Sequence, residues 1–143
     1  MKHDHRIDAL RDNGFFGVLP TPELRRVARH CEMVELPAGT ELTRQHEHGT
    51  ECFVLDSGSV DVYVDGQVIA TAGPGEVVGE IGLLDHGPRT GTARARTPVR
   101  AFAIGSREFG AMLENHPVLA RRIAAVLGGR VRRADAALRP VRA

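Results

Sequence analysis

Between Glu32 and Ile104 the chain is cut again and again into short apolar runs by turn residues, and this punctuation limits what it can fold into. Pro37-Ala38-Gly39, Ser57-Gly58, Asp65-Gly66 and Gly73-Pro74-Gly75 supply the fixed and the permissive φ angles that turns require. Val60, Val62 and Val64 alternate with Asp61, Tyr63 and Asp65, the period of two that a half-buried strand needs. Ala93 and Ala95 alternate with Arg94 and Arg96 in the same way. Asp65-Gly66 suits a tight hairpin turn. Several short strands at this spacing predict a sandwich or barrel, not a parallel α/β sheet.

The flanks read as helix. Asp4 to Asn13 fits a short amphipathic helix with Ile7 and Leu10 on one side. Thr21-Pro22-Glu23-Leu24 predicts a helix start, with Thr21 as N-cap, proline in the first turn and an acid near the positive end. This helix is expected to run to about His30 or Cys31. Ser106 is expected to cap a helix reaching Glu114, with Phe109, Met112 and Leu113 as its buried side. His116-Pro117 opens another, in which Leu119, Ile123, Val126, Leu127, Val131, Ala134 and Leu138 form a stripe at helical spacing. Gly128-Gly129 interrupts that stripe, and each glycine costs about 1 kcal/mol relative to alanine. A break, kink or fraying point is expected there, with Pro140 ending whatever follows. The whole is expected to be one domain over 1–143: helices in 1–31, a β-barrel in 32–105, helices in 106–139.

Composition narrows the function classes. A hydrophobic share of 42% supports a packed interior and argues against general disorder. No run approaches the roughly 18 apolar residues a membrane span needs, and the first residues hold no apolar secretion segment, so a cytoplasmic location without membrane contact is expected. Cys31 and Cys52 form no C-x-x-C pair and read as reduced structural thiols. The net charge of +1 does not suit a general polyanion binder. Seven arginines do crowd Leu119–Ala143 against one acid, Asp135. They read first as a solvated helix face, and no aromatic interleaves them to stack single-stranded bases.

Chemistry concentrates in Gly75–Ala93, GEVVGEIGLLDHGPRTGTA. It carries a carboxylate, Glu80, that accepts from a sugar hydroxyl, and a guanidinium, Arg89, that forks onto phosphate oxygens. Together they suit a ribose phosphate. Taken alone, a Glu and an Arg at this separation are more often a surface ion pair. Gly73-x-Gly75 is no dinucleotide fingerprint, since Val78 stands where its third glycine belongs. Ser57, Ser59, Ser106 and both cysteines lack the setting of a catalytic nucleophile, and no enzyme activity is expected.

Gly79-Glu80-Ile81-Gly82-Leu83-Leu84, a spacer Asp85-His86-Gly87, and Pro88-Arg89-Thr90-Gly91-Thr92 resemble the phosphate-binding cassette of the cyclic nucleotide-binding domain family. Phe15-Phe16-Gly17-Val18-Leu19, Leu36-Pro37-Ala38-Gly39-Thr40, Phe53-Val54-Leu55-Asp56-Ser57-Gly58 and Ser106-Arg107-Glu108-Phe109 resemble other landmarks of that family, so the likeness covers most of the chain. Gly91 departs from the usual alanine and His46 from a frequent glycine.

The resemblance implies a mainly β fold with flanking helices: an eight-stranded jelly-roll β-barrel with N-terminal helices and C-terminal lid helices, its cassette at 75–93. It implies Arg89 on the cyclic phosphate, Glu80 on the free ribose 2′-OH, and Gly79 clearing space for close backbone approach. Ile81 to Asp85, with Gly82 and Leu83, would form a short helix aimed at the phosphate. Pro88, Thr90 and Gly91 would complete the cassette, while Val78, Leu83, Val62 and Ala93 wall sugar and base. The ligand is expected to be cAMP ahead of cGMP, without cofactor or metal. Thr90 does not decide between the two bases. Leu127, Arg130 and Arg133 are the expected lid residues, with the glycine pair as hinge.

An effector protein or a downstream domain would read the output, and the 118–138 stripe offers a homodimer contact. Few residues follow Leu138, so DNA binding through an appended winged helix is not expected. Two alternatives stay open. The fold can persist with a vestigial site and serve protein interaction. Or His46, His48 and Glu51, followed by Gly58, can stand for the first metal motif of the cupins, although the His48-to-Glu51 spacing is one residue short and Gly75-Glu76-Val77-Val78 lacks the second motif's histidine.

Overall fold

The computed structural model of the chain describes residues 5–80, 83 and 86–138, and the side chains of 6–80, 83 and 86–132. Two helices, α1 (His5–Arg11) and α2 (Thr21–Arg29), flank a 3-10 turn at Phe16–Val18. Eight strands follow: β1 (Cys31–Leu36), β2 (Glu41–Thr43), β3 (Glu51–Ser57), β4 (Val60–Val64), β5 (Gln67–Ala72), β6 (Val77–Val78), β7 (Thr92–Ala95) and β8 (Val99–Gly105). Helices α3 (Ser106–Asn115) and α4 (Pro117–Leu138) close the described chain.

The strands form two four-stranded sheets, ordered β1-β8-β3-β6 and β2-β7-β4-β5. The antiparallel pairs nest: β1 with β8, β2 with β7, β3 with β6, β4 with β5. This nesting is the jelly roll that the resemblance implied, within the sandwich or barrel class that the turn spacing predicted. Asp65 and Gly66, with φ of 51° and 81°, turn β4 into β5 as the hairpin reading expected.

Two cores meet across one sheet. Phe53 and Leu55 of β3, with Val99, Ala101 and Ala103 of β8, point between the sheets. Cys52 and Val54, with Phe102 and Ile104, point the other way and pack under Leu10, Phe16, Leu24, Phe109, Leu119 and Ile123 from the helices. Both faces of β3 and β8 are therefore buried along Cys52–Leu55 and Ala101–Ile104, where every residue is apolar. Full burial of each such large side chain contributes about 1.5–3 kcal/mol. The Phe16 and Phe109 rings meet edge to face at 6.5 Å, joining the 3-10 turn to α3. No helix among the described residues is long and apolar enough to cross a membrane.

Several local expectations differ from the structure. Thr21 is the first residue of α2, not its cap; Pro20 takes the extended cap conformation, and the Thr21 hydroxyl accepts from Arg11 Nη2 at 2.9 Å. The helix stops at Arg29, before Cys31 opens β1. Ser106 likewise begins α3, with Gly105 as its cap. α4 passes through Gly128-Gly129 as continuous helix, without the expected break or hinge. Val126 and Leu127 pack on the core before the pair, and Arg130 is anchored just beyond it. Those tethers outweigh a propensity cost of about 1 kcal/mol per glycine. Leu119 and Ile123 of the stripe are buried, but Val131 is 67% exposed, because α4 has left the core by then. The Ala134 and Leu138 side chains, Asp4 and Pro140 lie outside the described residues.

Candidate functional site

A cleft of about 330 Å³ opens on the second sheet, lined on one side by Val62, Val64, Ile69 and Ala70 and on the other by Val78, Gly79 and Glu80. Arg89, Thr90, Gly91, Ala93 and Arg130 complete its wall. The β4 alternation turns Val62 and Val64 into the cleft, and β7 offers only Ala93 there, so room remains between the sheets.

Glu80 and Arg89 are both nearly buried, at 4% and 7% exposure. Neither is half of the surface ion pair that their spacing alone suggests. The Arg89 guanidinium donates from Nη1 to the Gly79 carbonyl at 2.9 Å and from Nη2 to the Glu51 carbonyl at 2.7 Å. Glu80 Oε1 accepts from Arg130 Nη1 of α4 at 2.8 Å. Burial pulls the Arg89 pKa below its ordinary value, an effect opposed by neighbouring Cys52 and Glu51. Burial also pushes the Cys52 thiol up, with the nearby Glu80 charge adding to it.

Arg89 is placed by groups that the sequence did not single out for this purpose. The backbone of the His46 loop pairs with it twice: His46 N donates to Arg89 O at 2.8 Å, and Arg89 N donates to Glu47 O at 2.8 Å. His46 adopts φ of 74° to make that pairing. A Cβ on Gly49 or on Gly79 would overlap the guanidinium, so two glycines leave the side chain its channel. Gly79, at φ of 87°, thus makes room for Arg89, where close approach to ligand was expected. Nothing in Gly49 beyond its being a loop glycine marked it in the sequence. The loop read as a cupin metal motif is the brace of Arg89. Among the described residues no three His, Cys, Asp or Glu side chains cluster as metal ligands would.

Other expected site residues are distributed unevenly. Val62, Val78, Gly79, Glu80, Arg89, Thr90, Gly91 and Ala93 come together in the cleft. Leu83 is expected to wall the sugar but is buried in the core beneath the helices, because its apolar side chain turns away from the cleft. Pro88 is exposed outside the lining residues. Ile81, Gly82, Leu84 and Asp85, and so most of the helix expected over 81–85, lie outside the described residues. Leu127 is half buried against the core instead of over the cleft; the Arg133 side chain lies outside the described residues.

Arg130 reaches the cleft with Phe15 behind it: its Cζ lies 5.7 Å from the centroid of the Phe15 ring. Asn13 fixes Phe15, its Oδ1 accepting from the Phe15 and Phe16 amides at 2.8 and 3.1 Å. The Asn13 amide also donates to Gly75 O at 2.7 Å, tying this turn to the start of the cassette. Asn13, expected only as the end of a helix, is instead a buried junction.

The profile of the cyclic nucleotide-binding domain matches residues 33–116. The chain belongs to the cyclic nucleotide-binding domain family. Its relatives include the Pycsar effector protein XpPycTIR of Xanthomonas perforans, 35% identical over 101 residues, 70% of this chain and 33% of that protein. The cyclic AMP receptor protein of Thermus thermophilus is 33% identical over 104 residues, covering 69% of this chain and 48% of the relative. Among solved structures, Thermus thermophilus catabolite activator protein superposes with a TM-score of 0.79 at 29% identity, covering 88% of this chain and 62% of that one. The regulatory domain of Toxoplasma gondii PKA, solved with cAMP, gives 0.71 at 25% identity, covering 78% and 46%. The chain thus spans between a third and a half of the length of these two curated relatives.

Proposed function

We propose that this cyclic nucleotide-binding domain takes a 3′,5′-cyclic nucleotide, cAMP ahead of cGMP, into the cleft between β4 and the cassette. One observation carries the reading: a buried carboxylate and a buried guanidinium line the same cleft, opposite a wall of apolar side chains. Arg89 holds the phosphate through charge-assisted hydrogen bonds, and Glu80 accepts from the 2′-OH. Thr90 lies beside Arg89 for a further phosphate contact, and Val62, Val64 and Ile69 pack the base and sugar. Preference for cAMP is supported by a neighbour solved with cAMP and a relative named for it.

The role is regulatory, through reversible binding, with no chemical step. Its output passes to an effector protein or to a domain elsewhere in a longer chain. Helix α4 is the lid whose position reports occupancy, because it carries Arg130 to the cleft. Val131, 67% exposed on α4, offers an apolar contact to a second copy.

Calorimetric titration with cAMP and with cGMP tests the reading. Saturable binding, tighter for cAMP, is expected. A second reading has its own observation: both terminal nitrogens of Arg89 already serve backbone carbonyls, so the side chain has structural work without ligand. Absence of heat with either nucleotide moves the chain to that vestigial class.

A further inference from the structure

We infer that Arg130 is the positioning residue that makes the cleft selective for a ribose 2′-OH, so that α4 reads the sugar end of the ligand. The inference rests on the nucleotide reading above and adds to it a residue of α4, well downstream of the cassette.

The geometry assigns Arg130 this task in three steps. Its Nη1 donates to Glu80 Oε1 at 2.8 Å. The carboxylate so held lines the cleft, where a ligand hydroxyl can donate to it. Arg130 is itself held from behind, its guanidinium 5.7 Å from the Phe15 ring centroid in a cation–π contact. Phe15 is in turn fixed by the buried Asn13, which spans from its amide to Gly75. A carboxylate on a flexible side chain has several rotamers; ordering it beforehand removes that entropy from the cost of binding. Discrimination by a hydrogen bond depends on that order, since a carboxylate free to turn toward water gains little from the hydroxyl.

The test compares cAMP with 2′-deoxy-cAMP by calorimetry on the wild type, Arg130→Met, Arg130→Lys and Phe15→Leu. The wild type is expected to bind the deoxy ligand at least about tenfold more weakly, the scale of a hydrogen bond to a charged group. Arg130→Met keeps the aliphatic stem and is expected to bring the two ligands within about threefold, through loss of cAMP affinity. Arg130→Lys is expected to restore part of the ratio. Phe15→Leu, which keeps Arg130 and frees it, is expected to fall between. A merely structural role for Arg130 weakens both ligands alike, so an unchanged ratio in Arg130→Met and Phe15→Leu overturns the inference. Wild type that binds both ligands equally overturns the Glu80 assignment and this inference while leaving the nucleotide reading standing, and wild type that binds neither removes the nucleotide reading.

Discussion

Arg89→Ala is expected to destabilise the protein before any ligand is added. The guanidinium serves the carbonyls of Gly79 and Glu51, at 2.9 and 2.7 Å, inside a channel kept open by Gly49 and Gly79. Truncation leaves both carbonyls without that donor, at a cost of about 1–3 kcal/mol for each buried unsatisfied group. Water entering the vacated channel recovers part of this, so a net loss of about 2–4 kcal/mol is expected. That is a large share of the roughly 5–15 kcal/mol available to a domain, and it corresponds to a Tm lower by about 10 °C. Urea unfolding of the ligand-free wild type, Arg89→Ala and Arg89→Lys is the assay. The lysine keeps the charge but cannot reach both carbonyls with a planar fork, and is expected to lose at least half as much. A ligand-free Arg89→Ala within about 0.5 kcal/mol of wild type would show that the two carbonyl bonds carry no net stability, and would refute the reasoning.

Gly49→Ala is expected to mimic part of the Arg89 lesion, since its Cβ overlaps the guanidinium; lowered Tm together with weakened cAMP binding checks it, and an unchanged Tm contradicts it. Gly128→Ala is expected to stabilise the protein by about 0.5–1 kcal/mol, because the new Cβ meets nothing within 4 Å in a continuous helix. A lowered Tm there would mean that the glycine serves a bend. Burial raises the Cys52 pKa above its unfolded value, so the unfolded chain releases its proton first as pH rises. The stability this thiol contributes is fully present below about pH 8.5 and falls by about 1.4 kcal/mol per pH unit above it. Denaturant unfolding from pH 7 to pH 10 is expected to decline more steeply in wild type than in Cys52→Ala, and parallel curves would contradict the cause.

The fold was legible because turn chemistry is local. Asp65-Gly66 turns β4 into β5 whatever surrounds it, and the valine alternation fixes which side chains face the cleft. The boundaries of α2 and α3 were less legible, since Thr21 and Ser106 have capping side chains but the backbone turns one residue earlier. Gly128-Gly129 misled for the opposite reason: propensity is a small local energy, and the packing of Leu127 with the Arg130 anchor overrules it. Glu80 and Arg89 were recognised by residue type and by the resemblance of the cassette around them. Their supports were not, because the Glu51 carbonyl, the His46 backbone and the space at Gly49 leave no mark in side-chain identity. Arg130 was expected as a lid residue from its position on the helix; its pairing with Glu80 was not, because that contact is made in three dimensions between α4 and the cassette.

The central claim is that the cleft holding Glu80 and Arg89 receives the cyclic nucleotide. The most direct test follows backbone and arginine side-chain resonances of labelled protein during titration with cAMP. Saturable shifts centred on Gly79, Glu80, Arg89 and Thr90, and on the Arg89 and Arg130 guanidinium signals, are the predicted result. Saturable binding that leaves those signals unmoved while others shift, or no shift at any concentration, would contradict the account.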